Sequence, residues 1–220
     1  MAKTRTRRAR VPRGEARERI VAAAVEAFAE KGFEAASTRD IARRAGTDQG
    51  LLTYHFPNKD RLWRAAADRL FEVLGQRLDD RVASLAQADP RERVRGAIRE
   101  YVRWVAEHPE FFRFLVDEGN RSNARTRWLV DTHIKPRFEF LKDAGLARAA
   151  GIADADIPHA FFALSGAAGL IFAVASNCRR LTGLDPRKRE AIEAHADFVA
   201  NLLVPGDRGD VDDRRIGRHT

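Results

Sequence analysis

Residues 49–56 carry side chains that could read the edges of DNA bases. Gln49 can pair with adenine through two hydrogen bonds, and Thr53 can bond a base edge or touch a thymine methyl group. Gly50 would let the backbone come close to the bases, because it has no side chain. A helix here would bury Leu52 and Phe56, which are four residues apart and share one face. The pattern therefore predicts a recognition helix whose polar side chains point outward.

The residues before this segment predict the helix that would support it. Ile20, Ala24 and Phe28 recur at helical spacing, which indicates a first helix from about residue 14 to residue 31. Gly32 suits the left-handed position just past a helix end, and Phe33 supplies the apolar contact that often closes such an end.

Cap residues predict three further helix starts. Ser37 and Asp40 have the spacing of a capping box, and Gly46 ends the short helix that they would open. Asp48 can cap a third helix through Phe56, and Asn58 can cap a longer fourth helix. Two short helices joined by a tight turn around a glycine are typical of a helix-turn-helix.

The segment from residue 19 to residue 62 resembles the DNA-binding domain of the TetR family of transcriptional regulators. It matches through IVAAAVEAFAEKGF, then STRDIARRAG, then TDQGLLTYHFPNKDRL. The resemblance implies base contacts from Arg39, Gln49, Gly50 and Thr53, and phosphate contacts from Thr38, Tyr54, His55 and Lys59. Thr53 stands where family members commonly carry Tyr, so the base sequence of the operator cannot be carried over from the family. In the alternative interpretation this is an ordinary helical hairpin, in which Tyr54 and His55 buttress the turn.

The rest of the chain predicts longer amphipathic helices, at about 91–107, 109–118, 123–148, 156–182 and 187–204. The expected fold is therefore all-α: a three-helix helix-turn-helix domain followed by a larger antiparallel helical domain. In the family the last two long helices form the dimer interface, and small residues and an apolar stripe suit that role. Both stretches could instead be the core of one subunit. The expected interface residues are Gly166, Gly169, Ile192, Ala196, Val199 and Leu203.

The family resemblance also implies a pocket for a small-molecule effector in the second half. Aromatic side chains crowd the middle helices, and apolar walls with a few polar groups are typical of ligand sites. We expect a largely apolar ligand, although each aromatic could serve core packing instead and His133 could be an ordinary interior or surface histidine. The candidate pocket residues are Trp104, Phe111, Phe114, Asp117, Trp128, His133, Phe162 and Asn177.

Charge and composition indicate how the chain is divided into domains and where in the cell it is expected. The 220 residues carry a net charge of +8, and residues 1–13 contribute six basic residues and no acid. We expect a basic arm over 1–13, a DNA-binding domain over 14–60, a ligand-binding and dimerisation domain over 61–204, and a disordered tail over 205–220. No apolar run approaches the roughly 20 residues that cross a bilayer, and Cys178 is the only cysteine, so a cytoplasmic protein is expected.

Two other classes of function are weighed against this interpretation. An enzyme is disfavoured, because the six histidines lack metal-site spacing and the chain has neither a phosphate-binding glycine loop nor a G-x-S-x-G turn. No cofactor and no metal are expected. A non-specific architectural DNA-binding protein would explain the basic arm but not the aromatic second half. The predicted function is a homodimeric regulator, by default a repressor, that binds double-stranded operator DNA and is released by its ligand.

Overall fold

The computed structural model describes residues 13–143 and 145–205, and nearly all of them are helical. No strand occurs within these ranges, which confirms the all-α prediction. The expected basic arm and C-terminal tail lie outside the described residues, except for Arg13 and Pro205. The helices are α1 (Arg13–Ala35), α2 (Thr38–Arg44), α3 (Gln49–His55), α4 (Lys59–Ser84), α5 (Pro90–Glu107), α6 (Pro109–Gly119), α7 (Ala124–Leu129), α8 (Lys135–Asp143), α9 (Leu146–Ala149), α10 (Ile157–Ala173), α11 (Ala175–Thr182) and α12 (Arg189–Leu203).

The helices pack into two compact units. The first unit holds the described residues up to Glu72 together with Arg113–Leu129, and the second holds Val73–Phe112 and the described residues from Val130 onward. The inclusion of Arg113–Leu129 in the N-terminal unit was not anticipated from the sequence. The domain boundaries drawn at residues 60 and 61 stay a prediction.

The core of the first unit forms where the sequence pattern predicts it. Ile20 and Phe28 of α1, Ile41 of α2 and Leu62 of α4 are all buried. Gly32 interrupts α1 with a φ of 70°, a left-handed conformation that glycine adopts without strain.

Phe33 then stacks on Phe28, with ring centroids 5.9 Å apart. The predicted closure of the first helix by Gly32 and Phe33 is confirmed, and the chain turns here into α2.

The second unit is built around the packing of α12 against α5. Val102 and Val105 of α5 and Val199 of α12 are fully buried. Arginines on α5 bond to α12: Arg99 Nε lies 2.6 Å from Asp197 Oδ1, and Arg103 Nη2 lies 2.6 Å from Glu193 Oε2. An apolar seam and a row of ion pairs together fix the register of the two helices.

Two helices predicted as continuous are interrupted. In the stretch predicted over 123–148, a π-helical turn occupies Val130–Ile134, α8 ends at Asp143, and Gly145 is left-handed with a φ of 66°. The stretch predicted over 156–182 breaks between α10 and α11 at Val174, whose φ is −110° and ψ 34°. Valine gives no sequence signal for a helix break, so periodicity alone joined the two segments.

One helical stretch is longer and more apolar than the sequence analysis recognised. Asp154–Ala173 has 20 residues and, by length and composition only, is long and apolar enough to cross a membrane. In its most apolar window, 22% of the residues are buried. Core helices of soluble proteins meet the same test, so this is weak evidence. The expectation that no such run exists in the chain is nevertheless wrong.

Three of the six predicted dimer residues pack inside the subunit. Ala196 and Val199 are fully buried on the face of α12 that packs in the second unit, so their side chains cannot line a free surface. Gly169 is also buried, and a Cβ built on it would collide with the Phe112 ring. Their assignment to a dimer interface is corrected: they serve packing within one chain. Gly166, Ile192 and Leu203 are only half-buried.

Gly169→Ala should destabilise the protein by about 1–3 kcal/mol, because the added methyl group must displace the Phe112 ring. Gly166→Ala is the matched control on the same helix, since a Cβ there meets nothing within 4 Å. Alanine favours helices, so this control should be neutral or gain up to ~1 kcal/mol. Denaturant unfolding measures both values, and equal free energies of unfolding would contradict the close approach at Gly169.

Candidate nucleic-acid interface

Helix α3 presents one apolar face to the protein and one polar face to solvent. Leu52 is 2% exposed and Phe56 just beyond the helix is also buried, whereas Tyr54 is 68% exposed. Gln49 and Thr53 are exposed as well. Helix α3 packs on α1 and α2, so burial of its apolar side chains fixes which way the polar ones point. The orientation predicted from the sequence is confirmed.

Two of the three predicted helix caps form. The Asp48 side chain accepts a hydrogen bond of 2.8 Å from the backbone N–H of Leu51, and Asn58 Oδ1 accepts one of 2.9 Å from Arg61. Ser37 stands at the cap position of α2 with extended backbone, but its side chain makes no cap bond. The predicted capping box is therefore wrong.

Asp40 instead forms a charged cluster that ties α2 to α1. Its carboxylate accepts from Lys31 Nζ at 3.1 Å and from Arg44 Nε at 3.1 Å, and it also pairs with Arg43. Arg44 reaches back to Glu30 of α1 at 2.7 Å. The Lys31 ammonium and the two guanidinium groups hold the pKa of Asp40 at about 2, below its ordinary 3.8. The cluster of three cations around one carboxylate therefore fixes α2 against the end of α1.

The expected base-contacting residues lie at the exposed surface of α2 and α3. Gln49 Nε2 donates to Thr38 Oγ1 at 3.1 Å, and Thr53 Oγ1 donates to the backbone oxygen of Gln49 at 2.9 Å. Arg39 and Gly50 are exposed. The Gln49 amide is thus held in one orientation before any ligand arrives, and its carbonyl oxygen remains an acceptor.

The expected phosphate-contacting residues have more varied surroundings. Tyr54 is exposed, and its ring meets His55 edge-on at 5.2 Å. Lys59 Nζ donates to the backbone oxygen of Glu34 at 3.0 Å and lies 4.7 Å from the centre of the Phe33 ring. Burial lowers the pKa of Lys59. Lys59 therefore braces α4 against the end of α1, a role that the sequence did not reveal; its phosphate contact stays a prediction.

Arg125 is a residue of the N-terminal unit that the sequence analysis missed. Its guanidinium carbon lies 3.6 Å from the centre of the Phe33 ring, and its nitrogens lie 3.6 Å from Glu34 and 3.7 Å from Glu118. Glu118 is 1% exposed. Contacts between residues about 90 positions apart leave no local pattern, so no sequence signal could have found this cluster.

The eight candidate pocket residues do not share one environment. Phe114 and Trp128 pack on Trp63, with ring centroids at 5.1 and 5.9 Å, and belong with Asp117 to the first unit. Trp104 and Phe111 pack edge-to-face at 4.7 Å in the second unit.

His133, also in the second unit, is half-buried, whereas Phe162 and Asn177 are exposed. The expectation that these eight residues line one pocket stays a prediction: Phe162 and Asn177 are surface residues, and the other six are divided between the two units. In the described part of the chain, no group of three or more His, Cys, Asp or Glu side chains is arranged to hold a metal ion.

Residues 20–71 match the family model described as "Bacterial regulatory proteins, tetR family". The chain is 31% identical over 113 residues to the HTH-type transcriptional activator FasR of Mycolicibacterium smegmatis, which covers 49% of this chain and 48% of that protein. It is 34% identical over 80 residues to the HTH-type transcriptional regulator BetI of Yersinia pestis, which covers 36% of this chain and 40% of that protein. The alignments thus span less than half of these relatives, which are named as regulators rather than as enzymes.

The fold is similar to that of a fatty acid metabolism regulator from Clostridium perfringens, with a TM-score of 0.68. The two chains are 19% identical, and the match covers 84% of this chain and 96% of the other. The likeness extends over both halves of the chain, whereas the family match is confined to the N-terminal residues.

Asp40→Asn should reduce the sensitivity of the fold to acid. The pKa of Asp40 is depressed in the folded state, so its contribution is complete above the ordinary value of 3.8 and is lost as the pH falls towards about 2. The urea concentration at the unfolding midpoint of the parent chain should decrease as the pH is lowered from about 5 to about 2.5. In the variant this decrease should be smaller. Glu26→Gln is the control: Glu26 is exposed on α1, the helix to which the cluster ties α2, and has no ion pair within the described ranges. An identical acid response in all three chains would contradict the role of the cluster.

Proposed function

We propose that this chain, whose residues 20–71 match the model of the TetR family of bacterial regulatory proteins, binds operator DNA as a homodimer, represses transcription, and is released by a small, largely apolar ligand. The observation that carries the proposal is the orientation of α3, which buries Leu52 and exposes Gln49 and Thr53. A helix so oriented can enter a major groove, where amide and hydroxyl groups distinguish base pairs. Base contacts by Arg39 and Gly50 belong to the same proposal.

A homodimer supplies the second recognition helix that a two-part operator needs, about 34–36 Å from the first. An exposed apolar face supports this part: Phe162 and Leu170 of α10 are 73% and 56% exposed, and Phe198 and Leu202 of α12 are 62% and 58% exposed. Helices α10 and α12 pack together, so these four side chains lie on neighbouring elements of one unit. Large apolar side chains that are exposed on neighbouring helices are candidates for an interface. The proposed dimer face therefore replaces the buried stripe of α12.

The effector and the direction of control are proposed from the composition of the chain and from the names of its relatives. The abundance of aromatic side chains supports an apolar ligand. The C. perfringens protein is named a fatty acid metabolism regulator, so a fatty acid is the first compound to add in operator titrations. FasR is named an activator, so reporter transcription with and without the protein must decide the sign. A cytoplasmic location goes with a role on DNA.

Selection of bound duplexes from a random pool should yield a two-part operator. On that operator, Gln49→Ala and Arg39→Ala should each lower the discrimination between the selected and a mismatched base pair by about 1–3 kcal/mol, because each removes a two-pronged base contact. Competition titrations against single-base variants measure this. The control is affinity for random DNA, which should change little; undiminished discrimination in both variants would refute the assigned base contacts. Selection of no preferred sequence would favour the architectural alternative.

Phe198→Glu combined with Leu202→Glu should convert dimers to monomers in sedimentation experiments, because the substitutions put charges into the proposed interface. The folded subunit should survive, since both side chains are exposed. Val116→Glu is the control: Val116 is 48% exposed on α6, outside the proposed face. Persistent dimers in the double variant would move the interface elsewhere, and a parent chain that sediments as a monomer would remove the dimer from the proposal.

A further inference from the structure

Two grooves border α3, and only one of them is accounted for by the residues discussed above. The first groove is lined by Thr38, Gln49, Thr53 and Lys59. The second is lined by His55 at the end of α3, by Arg17 of α1, and by Arg61 and Arg64 of α4. We propose that the second groove binds a DNA phosphate backbone through Arg17 and Arg61. This inference rests on the proposed binding of DNA and adds contacts that the family resemblance did not supply.

The grooves share Phe56, Pro57 and Asn58 just beyond α3 and extend from there along different sides of the helix. A helix advances about 100° per residue, so Thr53 and His55 are about 160° apart around its axis. Thr53 lines the first groove and His55 the second. The major groove is about 12 Å wide and a helix with its side chains is about as wide, so a phosphate backbone runs along each side of an inserted helix. The second groove therefore needs cations as much as the first.

The charges of the second groove leave two arginines available. Arg64 is paired with Asp60 at 2.8 Å and lies 4.8 Å from the centre of the Trp128 ring. Asp68 also lines the groove and is engaged in an interaction of its own. Arg17 and Arg61 are exposed, and neither has an ion pair within the described ranges. Free guanidinium groups are well suited to phosphate, which they can bind through two parallel hydrogen bonds.

Arg17 contacts Phe56, the buried residue just beyond α3, and this contact places the second groove beside α3. The guanidinium carbon of Arg17 lies 5.5 Å from the centre of the Phe56 ring. Arg17 is therefore held near the buried residue that fixes α3, which limits the conformational entropy it would lose on binding. His55 lines the same groove, and its Nε2 atom is shielded from solvent and has no hydrogen-bond partner among the described residues.

The test compares Arg17→Gln, Arg61→Gln and the double variant with Arg69→Gln in the full chain. Arg69 is an exposed arginine of α4 in the same unit, with no ion pair within the described ranges, and it does not line the groove. Its substitution changes the net charge by the same amount. Binding is measured on the selected operator and on a random duplex of equal length, from about 50 mM to about 200 mM salt.

The double variant should bind both duplexes more weakly by the same factor, roughly tenfold or more at the lower salt concentration. The slope of log affinity against log salt should become shallower by about 2 for each bound subunit, and so by about 4 for a dimer, because each phosphate contact contributes about 0.9. Arg69→Gln should stay within about twofold of the parent chain. Unfolding midpoints confirm that the variants remain folded.

Slopes equal to that of the parent chain, or losses no greater than for Arg69→Gln, would overturn the phosphate groove. A loss confined to the operator would also overturn it, since phosphate contacts do not read sequence. The proposed function fails differently: the parent chain would then prefer no sequence, while the arginine variants would still flatten the salt dependence on random DNA. A parent chain that binds neither duplex would refute both.

Discussion

The burial of Leu52 and Phe56 is the constraint on which the nucleic-acid interface depends. Both side chains are withdrawn from water, and α3 has only seven residues, so no other part of the helix could hold it in place. Burial of two such side chains is favourable by roughly 3–6 kcal/mol. Rotation of α3 by half a turn would forfeit that free energy and bury Gln49 without partners. The outward direction of the polar side chains is therefore a consequence of apolar packing, and the chemistry offered to a base follows from it.

Charged groups around this anchor divide their roles between structure and recognition. Lys31, Arg43 and Arg44 surround Asp40, and Lys59 and Arg125 both lie over Phe33. These cations are engaged by the protein itself, so a high local count of basic residues does not measure how many can meet phosphate. A cation with a carboxylate partner must give up that interaction to bind DNA, whereas Arg17 and Arg61 have none to give up among the residues described. Pairing within the chain, rather than charge alone, separates the two groups.

The sequence predicted what is decided by near neighbours and failed where distant residues compete. Asp48 and Asn58 cap the helices that follow them because each bond spans three residues. Asp40 has the right spacing to complete a capping box with Ser37, but Lys31, nine residues earlier, binds its carboxylate instead. The stripe that includes Ala196 and Val199 was correctly recognised as one apolar face of α12. Periodicity identifies the members of a face but not its partner, which here is α5 of the same chain.

The same limit explains why the two halves of the chain differ in what can be inferred from them. Helix α3 must fit a groove of fixed width, so its length, its anchors and its caps are constrained by a partner that is common to many proteins. The family match accordingly stops at residue 71. In the proposed function, the second half has to fit only its own ligand and its own copy, and many packings of helices satisfy those demands. Its aromatic residues can pack a core, as Trp104 and Phe111 do, or remain exposed, as Phe162 does. The helical fold of the second half can thus be kept while its side chains vary. For this reason a ligand must be identified by measuring binding.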